Sequence, residues 1–200
     1  MTSIGKGLEI RFEAGEILGI LGDPRIKPPP MMRVDAGEFT MGSDEHKREQ
    51  PIHRVYLDEF MMGKYPVTNE EFKTFIEDGG YQKEEFWSRE GWDWRGRENI
   101  SEPGYWHDRK WNSPNFPVVG VSWYESYAYA SWLSQKTGDR FVLPTEAQWE
   151  KAARGTDGRE YPWGNEFNEN YCNSRACGLG RTSPVGIFIK DKSPYGCMDM

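Results

Sequence analysis

Apolar residues recur along this chain in three stretches that read as short amphipathic helices, and each stretch carries the same punctuation. The first opens at Thr68, with Glu71 three residues on, and closes at Gly79. The second opens at Ser122, with Glu125, and closes at Gly138; the third opens at Thr145, with Gln148, and closes at Gly155. Each start spells a capping box, in which the hydroxyl accepts from the backbone N–H three residues ahead and the Glu or Gln side chain reaches back. Each end places Gly where a left-handed residue is needed. Within the third stretch, "LPTEAQWEKAARG" (143–155), Trp149, Ala152 and Ala153 are expected on the buried face.

The pattern differs towards the N-terminus. Residues 8–21 place Leu8, Phe12, Ile17, Leu18 and Leu21 near helical spacing, while Gly15 and Gly19 weaken that reading. "GDPR" (22–25) reads as a turn and "KPPP" (27–30) as a stiff spacer, which puts a boundary near Pro30. Residues 1–30 are then a leader, either the helical stump of something larger or a loosely ordered terminus, and 31–200 are the main domain. From Met31, "MRVDAGEFTMGS" predicts a strand or two around a turn. "HRVYLDEFMMGKYPVT" predicts another extended stretch, with Val55 and Leu57 on one face. Five tryptophans fall between residues 86 and 111. Such rings can line a groove for sugars or peptides or pin down a long loop, and packing is the expected role.

Composition narrows this picture. Hydrophobic residues make up 36% of the chain and aromatic residues 14%, with nine Trp, so the core is expected to rest on few, large rings. The 22 Gly and 13 Pro follow no repeat period, as in a loop-rich globular fold. The net charge of −7 excludes the basic footprint of a nucleic-acid binder. No apolar run reaches membrane-span length, and the N-terminus lacks the features of a signal peptide. Three cysteines do not make a disulfide framework, so a reducing, cytoplasmic location is expected.

Local chemical signatures are few. His46, His53 and His107 have no neighbour in an HxH, HxxxH or HExxH spacing. Cys172 and Cys177 stand five positions apart, a pairing that suits a soft ion only if other ligands join it. No nucleophile elbow, P-loop or dinucleotide fingerprint appears, and the glycines of "CGLGRTSPVG" neither follow a strand nor open a helix.

Six motifs occur together in order: "AGEFTMGS", Pro51-x-His53-x-Val55-x-Leu57-x-x-Phe60, "YPVTNEEFKTF", "PVVGVSWYESYAYASWL", "LPTEAQWEKAARG" and "YPWGN". In this the chain resembles the formylglycine-generating enzyme, or sulfatase-modifying factor, family over residues 31–200. The resemblance implies an α+β, irregular, loop-rich fold related to C-type lectins. At family level it implies oxygen-dependent oxidation of a protein cysteine to formylglycine, with Cu(I) held between two thiolates that the substrate thiol joins. A sister group uses iron held largely by histidines of a separate helical domain. Other relatives are non-catalytic recognition modules within larger signalling or NTPase proteins. Either way the implied partner is a protein or peptide.

The resemblance also has departures. The chain ends at "SPYGCMDM", where the family continues into a Gly-Asn-x-Trp-Glu-Trp motif and the catalytic cysteines. Residues 31–200 are therefore expected to be the N-terminal portion of the domain, with neither catalytic residues nor the copper site in this chain. Ending there is expected to leave core residues such as Trp132 and Trp149 uncovered. Cys172 and Cys177 share the spacing of the copper pair but precede its position, so that role is not assigned to them. Ala130 stands where the family has Cys. The resemblance further implies structural calcium after "YPWGN", with Asn173 giving its side chain and Ser174 and Leu179 their carbonyls. Cys177 stands where the family supplies an Asp, and losing a carboxylate weakens a site for a hard cation.

Overall fold

The structure, a computed structural model, describes residues 5–200. Its strands are β1 (Met31–Val34), β2 (Gly37–Met41), β3 (His53–Leu57) and β4 (Phe60–Gly63). β1 pairs with β4, and β2 with β3, both antiparallel. Val34 faces Phe60 and Gly37 faces Leu57, so both pairs keep one register. They are the two halves of a single long hairpin, interrupted where residues 35–36 oppose 58–59. Val34 on β1 and Phe39 on β2 are both fully buried, while Tyr56 on β3 is exposed.

All three predicted helices form: α2 (Asn69–Glu77), α4 (Trp123–Thr137) and α5 (Glu146–Arg154). Each starts in a complete capping box, on Thr68/Glu71, Ser122/Glu125 and Thr145/Gln148. Gly138, at φ +82°, ends α4 with its N–H on Ser134 O. α3 (Arg89–Arg97) lies inside the Trp-rich stretch and was not anticipated. Its Ser88 cap accepts from Gly91 N at 3.1 Å. Gly91 also lets the helix approach Tyr124, since a Cβ there would meet that side chain at 2.9 Å.

The main core is aromatic. Phe72, Phe75, Tyr81, Phe86, Trp87, Tyr129 and Trp132 are buried together, and Trp92, Trp94 and Trp106 pack against them. Phe72 stacks on Tyr129 at 5.3 Å, and Phe75 meets Trp132 edge-on at 5.7 Å. Rings of this size supply much apolar area per residue, which suits a chain poor in aliphatics. The Trp-rich stretch thus has the packing role that its composition predicts. Trp132, expected to be left uncovered, is instead 5% exposed and donates its indole N–H to Asp78.

α1 (Lys6–Leu21) is the N-terminal helix. Its buried face is Leu8, Phe12, Gly15 and Gly19, whereas Ile17 and Leu21 are exposed. The two glycines that weakened the helical pattern are where the helix touches the body. A Cβ on Gly15 would lie 2.7 Å from Pro184, and one on Gly19 2.5 Å from Asn115 Oδ1. Asn115 Nδ2 donates to Gly15 O and to Asp23 Oδ2, each at 2.9 Å. A third cluster joins Val34, Ala152 and Cys197. There Lys151, buried on α5, donates its ammonium to Asp35 O at 2.7 Å and Gly37 O at 2.9 Å, tying that helix to the break in the hairpin.

Candidate functional site

An open groove of about 1120 Å³ lies between β4 and α4. β4 forms one wall through Phe60 and Met62, and α4 another through Tyr129, Ala130 and Leu133. The segment Asp139–Thr145 and Trp149 form the rim. Trp149 was expected on the buried face of its helix and, with Trp132, to be left uncovered; it is 47% exposed, while Ala152 and Ala153 on the same helix are buried. Helical spacing assigned Trp149 to an inner face without distinguishing a groove wall from a packed one. Ala130 lines the groove with a methyl group where the family has a thiol.

Few charges reach this groove. Glu71 is occupied by its capping box, accepting from Thr68 N at 2.7 Å and Thr68 Oγ1 at 2.6 Å. Burial outweighs those bonds and raises its carboxyl above the ordinary range. Asp199 accepts from Gly186 N at 2.6 Å, and burial pushes its carboxyl up to about 6. An isolated antiparallel bridge between Lys192 and Met198 brings the neighbouring Asp191 and Asp199 near each other. Asp191 Oδ1 is buried without a partner among the described residues, and burial, then Asp199, raises that carboxyl to about 7. What the groove offers is apolar area and shape rather than a reactive constellation.

Cys172, Cys177 and Cys197 are free thiols. Burial raises Cys172, and Cys177 is buried with its Sγ donating to Asn173 Oδ1 at 3.5 Å. Burial disfavours the thiolate form of Cys172 that Cu(I) requires, and the Cys177 sulfur is already engaged by Asn173, so this pair does not fit the family's copper site. His53 is exposed, and its Nδ1 lies 2.7 Å from Pro51 O. Among the described residues no three His, Cys, Asp or Glu side chains converge as metal ligands.

Asn173, Ser174 and Leu179 fall in one tight loop around a 3-10 turn, Arg175–Cys177. Asn173 Nδ2 donates to Arg181 O at 2.9 Å and to Ser183 Oγ at 3.2 Å, and its Oδ1 faces the Cys177 thiol. The hydroxyls of Ser174 and Thr182 are buried, Thr182 with no partner among the described residues and Ser174 beside the Cys172 thiol, adding neutral oxygens but no charge. Calcium takes six to eight oxygens, with carboxylates among them in its high-affinity sites, so this donor set does not fit it.

A hairpin, four helices with side-chain N-caps, an aromatic core and an open apolar groove define a loop-rich α+β scaffold. Residues 20–200 match the sulfatase-modifying factor enzyme 1-like domain, and the chain belongs to that family. It is 35% identical over 186 residues to a hercynine oxygenase of Mycobacterium tuberculosis, covering 85% of this chain and 41% of the relative. It is 33% identical to the serine/threonine-protein kinase pkn1 of Chlamydia caviae, covering 88% and 27%. With the inactive C-alpha-formylglycine-generating enzyme 2 of Mus musculus it shares 31% identity, covering 92% and 71%. The chain thus spans less than half of the oxygenase and about a quarter of the kinase. Among the described residues no helix is long and apolar enough to cross a membrane.

Proposed function

We propose that this chain is the polypeptide-binding part of a sulfatase-modifying-factor protein. It holds an extended protein segment in the groove. The family-level reaction, oxygen-dependent oxidation of a protein cysteine to formylglycine, is carried by groups other than its own thiols. The observation that carries this reading is the groove itself: open, large, apolar and rimmed by the exposed Trp149 and Val142. Concave apolar sites with a few fixed polar groups are the usual places where ligands bind. Among the described residues β4, in one wall, pairs in its sheet with β1 alone. Met198 N donates to Lys64 O at 2.8 Å, so extended backbone already lies beside the end of that strand. Backbone pairing at a strand edge together with side-chain pockets is a recurring way of holding a peptide. A second reading, a recognition module without oxidase chemistry, draws support from the similarity to a kinase.

A fluorescein-labelled peptide containing Cys-x-Pro-x-Arg tests the proposal by polarisation. Wild type is expected to bind it, and Val142→Glu and Trp149→Glu are expected to weaken binding roughly tenfold or more, as for truncation of an anchoring contact. Equal binding by wild type and both variants, or none by wild type, overturns the reading.

A further inference from the structure

We propose that helix α1, rather than a bound cation, organises the loop formed by residues 172–183. This follows from what surrounds the position where the family supplies a carboxylate. Cys177 is buried in an apolar cluster with Leu8 and Phe12 of α1 and with Phe116, and Leu179 packs against the same cluster. A dication beside Cys177 would give up its water among hydrocarbon side chains and receive no carboxylate in return.

The same loop is fastened to α1 by polar contacts. The Arg181 guanidinium lies over the Phe12 ring at 4.4 Å and pairs with Glu16 at 2.8 Å. Arg11 Nε donates to Ile187 O, just beyond the loop, at 2.9 Å. Inside the loop, Asn173 uses its amide to bind Arg181 O and Ser183 Oγ. Its side chain therefore joins the two ends of the loop, the task that a shared metal ion would otherwise perform. The arginine adds positive charge at that point, which further disfavours a cation. The glycine contacts of α1 with Pro184 and Asn115 hold the helix close enough for these bonds to form.

The test combines thermal melts with hydrogen exchange on the intact chain. A calcium ion present at a hundred times its Kd would raise the melting midpoint by roughly 5–10 °C in a chain of this size. The expected result is one midpoint in chelator and in millimolar calcium. Amide exchange in residues 172–183 should then rise in Phe12→Ala while α5 keeps its protection. If Phe12→Ala fails to fold, Glu16→Gln, which keeps the aromatic contact, gives the same local loosening to a smaller degree. A midpoint that falls in chelator and returns with calcium overturns the proposal. So does loop exchange that is unchanged in the variant that folds.

Discussion

Removing one oxygen atom, in Tyr81→Phe, should destabilise this protein far more than the same change at Tyr129. Tyr81 has no exposed surface, and its hydroxyl donates to Glu125 Oε1 at 2.6 Å. Glu125 is itself buried, and its other oxygen accepts from Ser122 N at 2.7 Å, completing the cap of α4. Burial, then the Glu125 hydrogen bond and charge, pushes the Tyr81 phenol far above its ordinary range, so it stays a donor throughout the accessible pH scale. The substitution keeps the ring and opens no cavity, but it leaves one oxygen of a buried carboxylate bare. A hydrogen bond to a charged group contributes about 1.5–3 kcal/mol. In a chain of this size that corresponds to a fall in melting midpoint of roughly 3–12 °C. Urea melts followed by tryptophan fluorescence give the comparison, with Tyr129→Phe expected within about 0.5 kcal/mol of wild type. A Tyr81→Phe cost below that level, or one equal to Tyr129→Phe, refutes the claim that a phenol–carboxylate bond fastens the aromatic core to the helix cap.

Three further outcomes are expected. Trp132→Ala should cost about 3–5 kcal/mol, as for a buried ring, and Trp149→Ala only about 1–2 kcal/mol; the reverse order in denaturant melts would place Trp149 in the core after all. The folded state raises Asp191 to about 7 and Asp199 to about 6 against an ordinary 3.8, so it binds more protons than the unfolded chain between those values. Their contribution is complete below the ordinary carboxylate range and is lost as pH rises through about 6 and 7, so the wild-type midpoint should fall across that window, and Asp191→Asn should flatten the fall. Asp23 and Asp157, held near 2, titrate below the window and do not mask it. Incubated with Cu(I), oxygen and the Cys-x-Pro-x-Arg peptide, the chain should give no aldehyde by mass spectrometry. Turnover that disappears in Cys172→Ser or Cys177→Ser would make that pair the metal site.

What the sequence revealed was mostly local. A capping box is written within four residues, and Thr68, Ser122 and Thr145 each cap the expected helix. The strands were also legible as extended stretches, and their register sets Phe39 opposite Val55 in the hairpin. The glycines of α1 were misleading, because Gly15 and Gly19 lower helix propensity yet are the points of closest approach to Pro184 and Asn115. α3 was hidden by Gly91 and Gly96 among its tryptophans, although Ser88 stands in the capping position. The groove had no linear signal, since Phe60, Tyr129 and Trp149 come from three distant elements and meet only through folding. Nor does the spacing of Cys172 and Cys177 reveal that one thiol is bonded to Asn173 and lies in an apolar cluster.

The most direct test of the central claim is hydrogen exchange on the intact chain with and without the Cys-x-Pro-x-Arg peptide. Binding in the groove predicts new protection at Phe60–Gly63 of β4 and across residues 139–149, with the loop 172–183 unchanged. Protection confined to that loop, or no change anywhere at saturating peptide, would contradict it.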